Sequence, residues 1–312
     1  MTTRTTRPLT LSAVTATTLV VLAMSCSTND PKPNSGAAGG NVSSNSAAAG
    51  RPICGVANNA GENGKDRMQL LDDPKSAGLN LHSAVGVQKS QFPIKFLVAE
   101  SLRGDRRIAA LTAAQKSWND AIGTMSDSPG GQLFAPIAYY SEDYGTYKGL
   151  DTPLKDAVSA FIFDGSWLDF TSKPKNVLGT AVWSYDSPGG TIVRLDVRLN
   201  VELFSLGFGN DASSGDVGKL VDLQTLATHE LGHALGLAHD SRKSKSFAGK
   251  EQTSIMTPAL PVGLLGNDEV TNLRKVSDLD QCKMWYLYNP SRWTSQDCQG
   301  LAAAANQVTS DP

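Results

Sequence analysis

Hydrophobic and polar positions divide the chain into stretches of different character. Leu9 to Met24 is a mostly apolar run behind Arg4 and Arg7. Ser27 to about Gly50 is built of Ser, Asn, Gly, Ala and Pro with almost no large apolar side chain. Such a segment cannot bury enough surface to fold, which predicts a flexible tether over residues 27–50. Arg51 to Gln91 is mixed and Gly-rich, with short apolar patches at Met68 to Leu71 and Leu79 to Leu81 and a lone His82 read as a surface or satisfied histidine. No elements are assigned there, and residues 51–91 stand as an N-terminal or pro-like extension. Regular periodicity starts near Phe92, so the folded domain is expected over residues 92–290, followed by a tail over 291–312.

Inside that domain the period alternates between two and about three and a half. Phe92 to Val98 reads as a strand rich in branched and aromatic residues. Ile108, Leu111, Ala114, Trp118, Ala121 and Ile122 recur at three and four, predicting a helix from Arg106 to Ile122 closed by Gly123. Strands are expected at Leu133 to Tyr140, Ala157 to Phe163 and Val177 to Tyr185. A turn at Asp186 to Gly190 leads into Thr191 to Leu203, where Ile192, Arg194, Asp196 and Arg198 alternate with Val193, Leu195, Val197 and Leu199. Asp222 is a plausible N-cap for a second helix carrying an apolar stripe of Leu223, Ala227, Leu231, Ala234 and Leu235. Ser241 to Thr253 reads as a basic, polar loop. Ser277 to Asp280 opens a last helix that runs to about Tyr288 and ends before Pro290. The mixture of strands and helices predicts an α+β domain with a mixed, twisted sheet.

Composition adds three constraints. The 312 residues are 40% hydrophobic and 19% charged, enough for one medium domain with flanking segments. A net charge of −2 offers no electrostatic case for nucleic acid. Basic start, apolar run and Ser25-Cys26 together read as a secretory signal over residues 1–26, too short for a comfortable membrane span. Leu22-Ala23-Met24-Ser25-Cys26 resembles a bacterial lipobox, which implies lipidation of Cys26 and anchoring at the outer membrane or cell surface. The alternative is a plain secretory signal with Cys26 incidental. Cys54, Cys282 and Cys298 then remain; Cys282 and Cys298 are close in sequence and make a natural disulfide, which leaves Cys54 free, although connectivity cannot be read from sequence alone.

The chemistry concentrates in His229-Glu230-Leu231-Gly232-His233-Ala234-Leu235-Gly236-Leu237-Ala238-His239-Asp240, which holds three of the chain's four histidines. Residues four apart share a helix face, so His229 and His233 can present two imidazoles to one ion, with Glu230 beside them. His239 can join them only if the chain turns away after a helix end, and Gly236 provides the turn because glycine enters the left-handed region without steric cost. Three neutral imidazoles describe an open zinc site that keeps a position for water, with Glu230 placed as a general base.

This stretch resembles the metzincin zinc peptidases. Ser254-Ile255-Met256-Thr257-Pro258 is similar to that clan's methionine turn in the form found in the matrixin, or matrix-metalloproteinase, branch. The resemblance implies a zincin fold with a zinc-binding helix, a methionine turn and a closing C-terminal helix, Zn2+ on His229, His233 and His239, and Met256 beneath the metal. It also implies a protein or peptide substrate and a monomer. Asp240 departs from the serine usual after the third histidine in matrixins. Pro52-Ile53-Cys54-Gly55-Val56 resembles the matrixin cysteine switch, with Ile53 where the family has arginine; a disulfide from Cys54 is the competing reading. Leu178-Gly179-Thr180-Ala181 resembles the edge strand that pairs with extended substrate. Pro258-Ala259-Leu260 would wall the pocket after the cut bond. The run from Gly207 to Gly218 is read as a solvated loop, with Ca2+ as the alternative, and the family's structural zinc site is expected to be absent. The expected function is a zinc-dependent endopeptidase. A surface-anchored binding or adhesion lipoprotein that keeps the fold without turnover is the alternative, against which intact Glu230 argues, and a zinc hydrolase of other substrates is a third reading.

Overall fold

The computed structural model of the chain describes residues 21–28, 52–54, 79, 81, 86–87, 91–123, 131–140, 159–168, 175–186, 191–208, 219–240, 242–258, 260–263, 268–288 and 294–303. The basic start of the export segment, the tether beyond Thr28, His82, the turn at 187–190, Ala259 and the run 209–218 lie outside the described residues.

The domain is a mixed α+β structure around one sheet. In chain order its strands are β1 (Val21–Thr28), β2 (Pro52–Cys54), β3 (Phe96–Ala99), β4 (Ala138–Tyr140), β5 (Ser159–Asp164), β6 (Gly179–Asp186) and β7 (Thr191–Asn200). They lie in the order β2-β1-β6-β7-β5-β3-β4. β3, β4, β5 and β7 run parallel to one another, whereas β6 pairs antiparallel with β7. The outer edge of β6, expected to be open, is taken by β1 in antiparallel register from Val21↔Ser184 to Ser25↔Thr180. Part of the predicted export segment is thus a sheet strand in the uncut chain.

Helix α1 (Arg106–Ile122) matches the predicted span because its signals are local. Asp105 caps it by accepting from the Arg107 amide at 2.8 Å, and Gly123 ends it at φ +61°. Leu111, Ala114, Trp118 and Ile122 form its buried face. β7 is buried on both faces, so its alternation does not separate core from solvent. The polar face is satisfied internally: Asp196 accepts from the Ala160 amide at 2.9 Å, Arg198 pairs with Asp164 at 2.5 Å, and Asn200 donates to the Val177 carbonyl at 2.8 Å.

Several expectations change. The strand predicted over Leu133 to Tyr140 narrows to β4, with Phe134 bridged to Ile94. Short parallel strands β8 (Ser205–Gly207) and β9 (Leu220–Asp222) flank the undescribed run. The polar stretch after His239 is a hairpin of β10 (Lys243–Lys245) and β11 (Glu251–Thr253), turned at Gly249 with φ +78°. After α2 (Leu223–Ala234) come α3 (Asp268–Leu273), the closing helix α4 (Asp278–Tyr288) and α5 (Ser295–Ala303). α5 lies within the stretch expected as a tail. A disulfide between Cys282 and Cys298 staples it to α4, burying Cys298 and Ala302.

The core also recruits Leu79, Leu81 and Val87, upstream of Phe92. Leu81 bridges Leu237, just past α2. The Tyr288 hydroxyl accepts from the Val87 amide at 2.9 Å and donates to the Leu235 carbonyl at 2.7 Å. One buried phenol therefore joins the incoming chain, the closing helix and the end of α2, and burial pushes its pKa up. Among the described residues no helix is long and apolar enough to cross a membrane.

Candidate metal centre

The site is built on α2, whose start is set by Asp222 and whose end is set by Gly236. Asp222 accepts from the Thr225 amide at 2.8 Å and pairs with Arg274 at 2.6 Å. Leu223, Leu226 and Leu231 are fully buried, each contributing about 1.5–3 kcal/mol of apolar burial. The helix is not amphipathic in the way its stripe suggests, since Thr228, His229, Glu230 and His233 are buried as well. Trp118 of α1 fixes it on one side, donating its indole N–H to the Thr228 carbonyl at 2.8 Å.

At its C-terminus Leu237 N–H bonds to Gly232 O at 3.0 Å and Gly236 N–H to His233 O at 2.8 Å, with Gly236 at φ +100°. This is a Schellman closure, which needs a residue free to adopt positive φ. It reverses the chain and returns His239 to the two helical histidines, as the spacing predicts.

The three imidazoles meet. His239 Nε2 lies 3.3 Å from His229 Nε2 and 3.0 Å from His233 Nε2. All three ligand atoms fall within 4.8 Å of one another. His229 Nδ1 faces the Ile255 carbonyl at 2.7 Å and His233 Nδ1 faces the Leu237 carbonyl at 2.8 Å. A carbonyl can only accept, so each Nδ1 carries the proton and each Nε2 offers a lone pair to the common point. Burial lowers the His229 pKa to about 4, against the Ile255 carbonyl, and lowers that of His233 well below its ordinary value, helped by His229. Both rings are neutral at neutral pH. Lone pairs crowded together in a buried place repel unless a cation sits among them, and this donor set fits a divalent metal ion. His239 is half-buried, so the cluster opens to the surface on its side.

Glu230 and Met256 complete the surroundings. Glu230 is fully buried. A Cβ added to Gly179 would come within 2.9 Å of Glu230 Oε1 and 3.2 Å of the Arg198 carbonyl, so the carboxylate rests against the backbone of β6 where only glycine leaves room. Met256, also fully buried, lies under α2 in a tight turn, in which its amide donates to Ser254 Oγ at 2.9 Å and Thr257 N–H bonds to Ser254 O at 3.1 Å. Leu260, of the expected pocket wall, is buried in the core. Cys54 sits in β2 with Cys26 of β1 as its Cα partner, beyond β1 from β6.

Sequence reasoning missed the groups that hold the turn. Asp280 of α4 accepts from Ser254 Oγ at 2.7 Å and the Ile255 amide at 2.9 Å. Lys283, fully buried on the same helix, bonds to Asp240. The available signal was an Asp and a Lys three apart among apolar α4 positions. Comparison of the chain with protein-family models finds no match, and a search of curated proteins finds none either.

Proposed function

We propose that the chain is a zinc-dependent endopeptidase of metzincin, matrixin-like type, exported and anchored through Cys26. The observation that carries the reading is the convergence of His229, His233 and His239 beside a buried glutamate. Zinc bonded to imidazole at about 2.0–2.1 Å in tetrahedral geometry spaces ligand nitrogens about 3.3 Å apart. The spacings here are 3.3 and 3.0 Å. When bound, the ion supplies Lewis acidity and an acidified water.

The protein's own groups account for the rest. Carbonyls of Ile255 and Leu237 hold two imidazoles in the ligating tautomer. Glu230 takes the proton of the attacking water and passes it to the leaving amine, a transfer worth about 10²–10⁴ in rate. Met256 gives α2 an apolar floor that does not compete for the metal. β6 supplies backbone donors and acceptors for an extended peptide. Its edge is held by β1 in the uncut chain, and cleavage before Cys26 removes the Val21 to Ser25 stretch that pairs there.

Metal analysis of the processed protein should give about one zinc per chain. A peptide-library digest should stop on chelation and resume with zinc. Glu230→Gln should keep the metal and lose turnover by at least about a hundredfold. Zinc-loaded protein that cleaves nothing, with Glu230→Gln indistinguishable from wild type, would return the chain to the binding-lipoprotein reading.

A further inference from the structure

The residue after the third histidine is the centre of a buried charge network. Asp240 is 1% exposed and Lys283 is 0% exposed. The Asp240 carboxylate accepts from Lys283 Nζ, from Arg242 Nε at 2.8 Å and from Arg242 Nη2 at 2.7 Å. Lys283 Nζ also lies 3.9 Å from Asp280 Oδ1. Asp280 in turn holds Ser254, Ile255 and Ser277.

Followed from atom to atom, these contacts close a loop. His239 leads by the chain to Asp240, whose side chain reaches Lys283 and whose amide donates to the Met256 carbonyl at 2.8 Å. Lys283 faces Asp280, which takes the Ile255 amide. The carbonyl of Ile255 receives His229 Nδ1 at 2.7 Å. Two of the three ligands are thereby referred to one rigid helix, α4.

A fully buried ammonium is an expensive way to fill space, and an apolar side chain of similar volume would pack there without desolvating a charge. What an ion pair adds is direction, because it holds two groups at one distance where apolar packing tolerates sliding. We propose that Lys283 is a positioning residue of the metal centre: clamped between Asp240 and Asp280, its ammonium locks the segment after His239 and the turn carrying Ile255 onto α4, so that His229 and His239 share one focus. This rests on the three-histidine metal reading.

The experiment is a titration of the full chain, prepared metal-free, with Co2+ and Zn2+ in competition with a chromophoric chelator. The visible spectrum of the Co2+ form reports ligand geometry. Lys283→Met, Asp240→Asn and the double variant are compared with wild type, each with its thermal midpoint. The double variant removes both charges of the closest pair; Arg242 is partly exposed, and Asp280 keeps its bonds from Ser254, Ser277 and the Ile255 amide. The double variant is expected to fold with a midpoint close to wild type, yet to bind Co2+ about 10–100-fold more weakly with altered absorption bands. Asp240→Asn, which keeps the shape, should also fold and lose about tenfold in affinity.

Either folded variant binding with wild-type affinity and spectrum overturns the proposal. Loss of fold in all three variants assigns the pair to folding alone and overturns it equally. Wild-type chain that binds neither ion is a separate result, which removes the metal reading itself.

Discussion

A Cβ placed on Gly232 would lie 2.3 Å from the sulfur of Met256 and 2.9 Å from Cζ2 of Trp118. Glycine in mid-helix lowers helix propensity by about 1 kcal/mol, so its use between the two helical histidines is explained by this contact. Three elements meet there: α2, the turn at Met256 and α1. Gly232→Ala should gain the propensity and lose more to overpacking. The expected net cost is on the order of 1–3 kcal/mol in urea unfolding of the metal-free protein. Metal affinity should fall in the same variant, since Met256 cannot retreat without moving Ile255, which holds His229.

Gly179 bears on Glu230 in the same way but with a different consequence. The nearest atoms to the added methyl of Gly179→Ala belong to the Glu230 carboxylate and the Arg198 carbonyl, and none of these is a histidine of the cluster. Metal content should therefore stay at the wild-type level, while turnover of a peptide substrate drops tenfold or more because the base is displaced. Equal turnover in wild type and Gly179→Ala, at equal metal content, would show that the carboxylate has slack to move.

Stability of the metal-free protein should fall with acid. His229 has its folded pKa lowered by burial to about 4 from an ordinary 6.5. Between those values the unfolded chain binds the proton and the folded chain does not, so stability is complete above about pH 6.5 and is lost as pH falls toward 4. For this histidine alone the loss is on the order of 3 kcal/mol. His233 acts in the same sense. Asp280, pushed up by burial and partly restored by Lys283, works in the opposite sense above its ordinary range. Urea midpoints of metal-free protein between pH 4.5 and 7.5 should rise with pH, and His229→Asn should flatten the slope.

Reduction of the Cys282–Cys298 bond should loosen α5 and lower overall stability. The bond spans a sequence separation of 16. Closing a loop of that length stabilises by about 3 kcal/mol through the unfolded chain. A double Cys→Ala variant measured by urea unfolding should lose a comparable amount. Because Cys282 adjoins Lys283 on α4, a drop in Co2+ affinity is expected alongside it.

The elements that follow from sequence are those whose signals are local. α1 is delimited by Asp105 and Gly123 and by its own period. The order of β3 to β7 follows from branched runs and turns. Signals fail where partners are distant. The polar hairpin from Lys243 to Thr253 has no apolar face to reveal it, α5 depends on a disulfide, and the strand role of Val21–Thr28 depends on β6. β7 shows the same limit, because its polar face is buried by Asp164 and Val177, which no alternation discloses.

By itself the sequence determined three imidazoles, a carboxylate and a glycine turn within one short stretch, because helical spacing and the left-handed freedom of Gly236 act over a few residues. Only the tertiary structure decided that Asp240 would meet Lys283 across a separation of 43 and that His229 would meet Ile255 across 26. Such contacts arise from how α4 and the turn at Met256 pack on α2. Burial of a charge depends on what covers it, and nothing in a residue's own neighbourhood along the chain records that.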